Sequence, residues 1–377
     1  MHIYLDNAAT TPLDSEVIQV MVETMQNDYG NPSSIHSHGR QAKTIIEKAR
    51  KTIANLLHAS PAEIFFTSGG TEADNMAIVR SIEAYGITHA ISSPIEHHAV
   101  LHTLEELHKN GSIHLDLLNV DSNGNIDLDQ LEELLSKNPK TLVSLMHANN
   151  EIGNLTDIGR VSALCQQYNA IFHSDTVQTM GHYPHNLSEL KIDFITAAGH
   201  KFHGPKGVGF LYINGNNKIK PLIFGGAQER NMRGGTENVY GIAGLAKALE
   251  IAYRDMDKHQ QYIQGLKDYM IQELRKAIPD VQFNGNIEAE KALYTVLNVA
   301  LPCVEMSDML LFNLDIAGIS ASGGSACSSG SDIGSHVLRS INSENQRPSV
   351  RFSFSKNNTK EEIDIVVAKL KEICASE

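Results

Sequence analysis

Glu63-Ile-Phe-Phe-Thr67-Ser-Gly-Gly-Thr71-Glu-Ala-Asp74-Asn75 reads as a strand that runs into two glycines and leaves as a helix. Ile64, Phe65 and Phe66 form a continuous apolar run, the pattern of a strand buried on both faces. The helical pattern extends from Glu72 to Glu83. The first N–H groups of such a helix have no intrahelical partner, so together with the Thr71 hydroxyl they suit a phosphate. Thr71 and Asp74 also fit the spacing of an ordinary capping box, and this stretch alone does not choose between the two readings.

The alternation continues outward from there. His89–Ser92, Thr141–Met146, Ala170–His173, Phe194–Ala198 and Val208–Ile213 are strand-like, with a helical pattern around Ile158–Tyr168. Strands separated by helices imply an α/β chain with a mostly parallel sheet covered on both faces. After Asn238 the pattern becomes one long helical stretch to about Ile278. It is followed by strand-like Tyr294–Leu301, helical Met306–Ile316, strand-like Val350–Ser355 and a last helix opened by the capping box Thr359-Lys-Glu-Glu362. We expect a large domain over residues 14–255 and a smaller α+β domain made from 1–13 and 256–377.

Composition narrows the functional class. The chain has 377 residues, 41% of them hydrophobic, enough for a sizeable core. Its 31 basic and 44 acidic residues give a net charge of −13, which disfavours nucleic acid and anionic membranes as partners. The start, Met1-His-Ile-Tyr-Leu-Asp-Asn7, lacks the pattern of a signal peptide, and no stretch approaches transmembrane length. Cys165, Cys303, Cys327 and Cys374 are scattered without paired spacing, as in a reducing compartment. A cytoplasmic protein is expected.

Several reactive side chains fall just past strands, where ligands bind in open α/β sheets. Lys201, in Ala198-Gly-His200-Lys201-Phe-His203-Gly204, projects an amine suited to Schiff-base chemistry, although a solvent-exposed lysine fits the same pattern. Asp175 and Gln178 follow the strand ending near His173. The aspartate can pair with a protonated ring nitrogen and the glutamine with a ring oxygen, or Asp175 can simply cap a helix. His97, in Pro94-Ile-Glu-His-His-Ala99, can lie flat on a planar ligand. His98 and His102 have i, i+4 metal-ligand spacing but lack an obvious third ligand. Arg351, in Ser349-Val-Arg-Phe-Ser353, can grip a carboxylate with two prongs. Cys327 lies in Ser322-Gly-Gly-Ser-Ala-Cys327-Ser-Ser-Gly330, a run of small residues around one thiol. A phosphate cradle, an amine, an aspartate and an arginine together are the parts of a pyridoxal-phosphate site acting on an amino acid.

With these residues in place the chain resembles the cysteine desulfurases. These are pyridoxal 5'-phosphate enzymes of the class-V aminotransferase family, with the fold type I architecture. The resemblance covers nearly the whole chain. It rests on Tyr4–Thr11, Tyr29–Ser34, Thr67–Asn75, Glu96-His97, Met146–Gly153, Gly199–Lys201, Gly225–Arg230, Arg233–Thr236, Ser325-Ala-Cys327 and Arg351–Ser353. It implies that Lys201 carries the cofactor, that His97 stacks on its ring and assists proton transfer, and that Asp175 holds the pyridinium. Gln178 and Asn150 approach the ring oxygen, and Gly70, Thr71 and His200 bind phosphate. Thr236 reaches the phosphate of a neighbouring subunit, so a homodimer with shared active sites is implied. Arg351 binds the substrate carboxylate with Asn150 beside it. The Ser-Ala-Cys segment is similar to the longer-loop branch of the family. Ala198 stands where many relatives have a phosphate-binding serine, and Thr196 is one candidate to replace that hydroxyl.

The implied reaction converts L-cysteine to L-alanine and leaves the sulfur on Cys327 as a persulfide. That sulfur is destined for an acceptor protein such as an iron–sulfur scaffold. The Cys327 thiolate is the nucleophile. The family also allows Cys327 to ligate a partner's iron–sulfur cluster, and no metal site of the chain's own is expected. Two rivals remain at this stage. One is a selenocysteine lyase or other β-eliminating enzyme on the same scaffold, and the other is a degenerate, non-catalytic assembly partner.

Overall fold

The computed structural model of the protein describes residues 2–138, 140–303, 309–323, 334–341 and 347–375. Its strands are β1 (Ile3–Tyr4), β2 (Ile64–Thr67), β3 (His89–Ser92), β4 (His114–Leu117), β5 (Thr141–Ser144), β6 (Ile171–Asp175), β7 (Phe194–Ala198), β8 (Gly209–Ile213), β9 (Gln282–Asn284), β10 (Val296–Ala300), β11 (Ile319–Ser320) and β12 (Ser349–Ser353). Its helices are α1 (Ser15–Asn27), α2 (Ser37–Leu56), α3 (Gly70–Tyr85), α4 (His98–Lys109), α5 (Leu128–Lys137), α6 (Ile158–Gln167), α7 (Val239–Arg254), α8 (Met256–Ala277), α9 (Leu310–Ile316), α10 (His336–Ile341) and α11 (Lys360–Ala375).

One seven-stranded sheet has the order β2-β8-β7-β6-β5-β3-β4. β8 is antiparallel to both its neighbours, β2 and β7, while the other pairings are parallel. All strands except β8 therefore point the same way, and their carboxyl ends share one edge of the sheet. β2, β5, β7 and β8 are buried at every position, because helices cover both faces. On one face Ile46, Ile53, Phe66, Val143, Phe172 and Leu245 form the main core. On the other, Met76, Ala77, Phe194 and Leu211 pack under α3, and Val100, Leu104 and Leu142 under α4.

A second core gathers Ile3 and Leu5 with Leu266, Met270, Leu297, Val299, Phe352, Val366 and Leu370. It lies around an antiparallel sheet of order β12-β10-β9 and the parallel pair β1-β11. The helical stretch after Asn238 is two helices, not one, with a break at Asp255 (φ −110°, ψ 14°). The cause is tertiary: α7 buries Leu245 and Leu249 in the first core, whereas α8 buries Leu266 and Met270 in the second. The chain turns where it changes core. The capping box before α11 is present, with Thr359 N–H donating to Glu362 Oε2 (3.1 Å) and Glu362 N–H to Thr359 Oγ1 (3.3 Å).

Candidate active site

The turns after β2, β3, β5, β6 and β7 converge at the carboxyl edge of the large sheet. They surround a crevice of about 860 Å³, solvent at its mouth included. Gly70, Thr71, His97, Asn150, Asp175, Gln178, His200, Lys201 and Arg351 all line it. Nine sequence-predicted residues from six separate stretches thus meet in one place.

α3 begins at Gly70, two residues earlier than the sequence pattern suggests, and its N-cap is Gly69 with no side-chain cap. Thr71 and Asp74 therefore do not form a capping box. Asn75 Nδ2 donates to Thr71 O (2.9 Å), and the first-turn N–H groups stay available at the crevice wall. A side chain at position 70 would crowd the opposite wall, since an added Cβ would lie 2.9 Å from Val177 Cγ2.

Asp175 is the last residue of β6 and 7% exposed. Its Oδ1 accepts from Val177 N–H (2.8 Å), so it closes a turn and does not cap a helix. Burial, with Asp74 nearby, pushes its carboxyl up to about 7. Asp74 is likewise pushed up to about 7 by burial. Its Oδ1 is 3.3 Å from His173 Nε2 but has no hydrogen-bond partner among the described residues. Beneath them Glu96 accepts from Ser93 Oγ (2.8 Å) and Met146 N–H (3.0 Å) and is pushed up to about 8 by burial. A buried floor with three such carboxyl groups favours a cationic ligand atom above it.

Lys201 follows β7 in a single turn, Gly199–Lys201. Its Nζ donates to Ala8 O (2.6 Å) and Ala9 O (3.0 Å), which hold the amine at the crevice. Gln178 Nε2 donates to Ala8 O (3.1 Å). His97 accepts from Ala99 N–H through Nδ1 (3.1 Å), and burial with Lys201 nearby lowers it to about 4, leaving a neutral ring. His200 is lowered to about 4 by the same causes, and its Nδ1 is 3.3 Å from Thr10 Oγ1.

Arg351 comes from β12 and is 1% exposed. It donates to Asp6 Oδ1 (2.8 Å) and to Asn150 O (3.0 Å), while its buried Nε has no partner among the described residues. Ser322 pairs with Arg351 through both backbone groups (2.6 and 3.3 Å) and donates its hydroxyl to Asp6 Oδ1 (2.9 Å). Cys327 lies outside the described residues.

Other candidates fall elsewhere. Thr236 is exposed and lines a separate cavity with Ser68 and Arg233. Thr196 does not replace the hydroxyl missing at Ala198. It is fully buried and hydrogen-bonded to His173 Nε2 (3.2 Å), whereas Ala198 faces the crevice. His98 does gain a third imidazole, His336 of α10, but the rings pack on one another and their ligating atoms do not converge: the His98 ring centroid is 4.4 Å from that of His102, which is stacked on it, and 4.4 Å from that of His336, which is tilted by 33°. Cys165 and Cys303 are buried in the two cores, and burial pushes the Cys165 thiol up. Sequence reasoning gave no role to Asp6, Ala8 and Ala9, although they lie in the Tyr4–Thr11 stretch that carries the resemblance, and it read Asp74 only as a capping-box candidate. The polar Asp6-Asn7 pair after a short apolar run was the available signal.

The crevice therefore joins an uncapped helix start, a buried acidic floor, a positioned amine and an arginine with a spare donor. It suits a planar ligand with an anionic group, a cationic ring nitrogen and a carboxylate-bearing substrate beside it. The chain is similar to known proteins across nearly its whole length. A cysteine desulfurase IscS of Dictyoglomus turgidum is 45% identical over 375 residues, covering 98% of this chain and 94% of its own. A solved NifS-like protein superposes with a TM-score of 0.92 at 35% identity, covering all of both chains. The structure titled SspA in complex with cysteine superposes with a TM-score of 0.80 at 29% identity, over 95% of this chain and all of its own. The model of the class-V aminotransferases matches residues 3–366, and with this likeness in sequence and fold the chain belongs to that family.

Proposed function

We infer that this protein is a pyridoxal-phosphate-dependent cysteine desulfurase that converts L-cysteine to L-alanine and moves the sulfur to Cys327. The observation that carries this reading is the meeting of Lys201, Asp175 and Arg351 in one crevice of a class-V fold. The curated relative is a named cysteine desulfurase and a structural relative is titled as a complex with cysteine, which favours cysteine over selenocysteine.

When bound, pyridoxal phosphate supplies an aldehyde that takes up an amine and a ring that stores the electron pair left at Cα. The chain's own residues do the rest. Gly70, Thr71 and His200 hold the phosphate at the start of α3. Asp175 holds the ring nitrogen and keeps its proton, and the neutral His97 covers the ring face. Lys201 Nζ anchors the cofactor, then carries the proton removed from Cα. Arg351 clamps the substrate carboxylate with the guanidinium N–H groups not spent on Asp6 and the Asn150 carbonyl, which hold it in place. The Cys327 thiolate attacks the substrate sulfur. The C–S bond breaks, a proton completes alanine, and Cys327 keeps the sulfur as a persulfide.

The working unit is a homodimer in which Thr236 of each chain reaches the phosphate site of the other. Tyr29, Ile35 and Phe224, exposed by 74%, 91% and 72%, supply apolar surface for such a contact. The two cores correspond to domains 14–255 and 1–13 with 256–377. The persulfide passes to a sulfur-acceptor protein such as an iron–sulfur scaffold, in the cytoplasm. Among the described residues no helix is long and apolar enough to cross a membrane.

The test is paired. Cys327→Ala is expected to keep the yellow bound cofactor and to stop sulfide and alanine production from cysteine. Lys201→Ala is expected to lose both the lysine-bound absorbance and all turnover. Normal turnover by Cys327→Ala would remove the proposed nucleophile.

A further inference from the structure

A second group of ligating atoms lies at the other end of the strands. His89 opens β3 and His114 opens β4, and the two are direct cross-strand partners. Asp116 follows two residues later in β4, on the same face as His114. β4 is the outer strand of the large sheet, so this face is open to solvent: the His114 and Asp116 side chains are 64% and 32% exposed, against 5% for His89. One ligand atom from each of the three lies within 4.8 Å of the others. His89 Nε2 is 2.7 Å from Asp116 Oδ2, and His114 Nε2 is 3.4 Å from Asp116 Oδ1.

The hydrogen bonds around His89 decide what its inner nitrogen does. Thr141 Oγ1 donates its only hydrogen to Asn138 O (2.7 Å). It can therefore accept from His89 Nδ1, 3.4 Å away, whenever that nitrogen carries a hydrogen. Without a metal ion the shorter contact, Nε2 to Asp116 Oδ2 at 2.7 Å, is an ordinary hydrogen bond in which Nε2–H donates to the carboxylate. A metal ion that takes the place of that hydrogen leaves Nδ1 protonated, and Thr141 Oγ1 then supplies the outer acceptor that fixes the tautomer of a metal-bound histidine.

We propose that His89, His114 and Asp116 form a binding site for one divalent transition-metal ion of the zinc type at the edge of the sheet. Two imidazoles and one carboxylate suit zinc and its first-row neighbours, which such ligands bind at about 2.0–2.2 Å. The exposed side leaves the remaining coordination positions to water. The packed His98, His102 and His336 rings lack this convergence: among the described residues, His89, His114 and Asp116 alone bring three ligating atoms so close. The site lies at the amino ends of β3 and β4, away from the carboxyl-end crevice. It binds metal independently of the desulfurase reading.

Equilibrium dialysis of the holoenzyme against zinc, comparing the native chain with His114→Ala and Asp116→Asn, tests this. The native chain is expected to bind one more zinc per chain than either variant, whatever zinc the thiols take up. Each variant should weaken this binding by at least about tenfold, a loss already reached when only an outer partner of a metal ligand is removed. Cobalt(II) should show visible bands that both variants lose and that carry no sulfur charge-transfer component. Far-ultraviolet circular dichroism and alanine production should be unchanged. Equal zinc stoichiometry in the three chains, or a cobalt spectrum that the variants do not alter, would overturn the proposal.

Discussion

At the floor of the crevice, Asp74, Asp175 and Glu96 are buried against neutral donors such as Val177 N–H, Ser93 Oγ and Met146 N–H. At the rim, Arg351 is buried as deeply but has the Asp6 carboxylate 2.8 Å away. The floor comes from the large sheet and holds carboxyls that burial pushes up to about 7 and 8. The rim joins β12 to the N-terminal segment and holds a charge already compensated. An uncompensated acidic floor gains when a cationic ring nitrogen arrives. A compensated arginine with N–H groups beyond those given to Asp6 and Asn150 O is ready for a carboxylate without first paying for its own burial. Under the proposed function, the first region would serve the cofactor and the second the substrate.

That contrast is broken most directly at Asp175. Asp175→Asn keeps the shape and removes the charge. Turnover should fall by about 10²–10³-fold, the size of losing one preorganised electrostatic partner. Cofactor release should rise, with both read by alanine production and by absorbance after dialysis. A variant that retains native turnover would show that the floor does not act on the ring nitrogen. Arg351→Lys should do less and act differently. It loses the fork that reaches Asp6, Asn150 O and the substrate together, so KM for cysteine should rise about 10–100-fold. Turnover at saturation should change far less, because the loss falls on binding. Equal losses in KM and kcat would place Arg351 in the chemical step.

The sequence exposed Asp175, Lys201 and Arg351 but not what holds them, for a physical reason. Strand-end residues such as Asp175 and Lys201 follow apolar runs with turn signals after them, so their placement follows from local pattern. Arg351 is also visible, but its partners are not. Asp6 is 345 residues away in sequence, and the grips on Lys201 are the backbone carbonyls of Ala8 and Ala9, which no side chain announces. The break at Asp255 was hidden as well, because both flanking helices are good helix formers and only the change of core bends the chain. Thr196 was misjudged as a crevice residue because alternation along β7 does not say how far each side chain reaches. Its hydroxyl is taken by His173.

The smallest effect follows from the same floor and concerns stability against pH. In the folded chain without cofactor, Asp74 and Asp175 titrate near 7 and Glu96 near 8, all above their ordinary values of 3.8 and 4.5. The folded state then holds protons that the unfolded chain has lost. Their contribution is present below the unfolded values and disappears as pH rises to about 7–8. The buried histidines act in the opposite sense. His97, His173, His182 and His200 are lowered from 6.5 to about 4, so their contribution is complete above pH 6.5 and lost as pH falls towards 4. Between pH 6.5 and 8 these histidines no longer change and the floor carboxyls do; Lys267, lowered to about 8 by burial, acts alike with and without cofactor and cancels from the difference between the two. A cationic ring nitrogen against Asp175 holds that carboxyl ionised and removes its share of the loss. The gap in melting temperature between cofactor-loaded and cofactor-free protein should therefore widen from pH 6.5 to 8, by roughly 2–4 °C for each kcal/mol gained. A gap that stays constant or narrows over that window would mean that the floor carboxyls are already ionised, and the charge contrast between floor and rim would not hold.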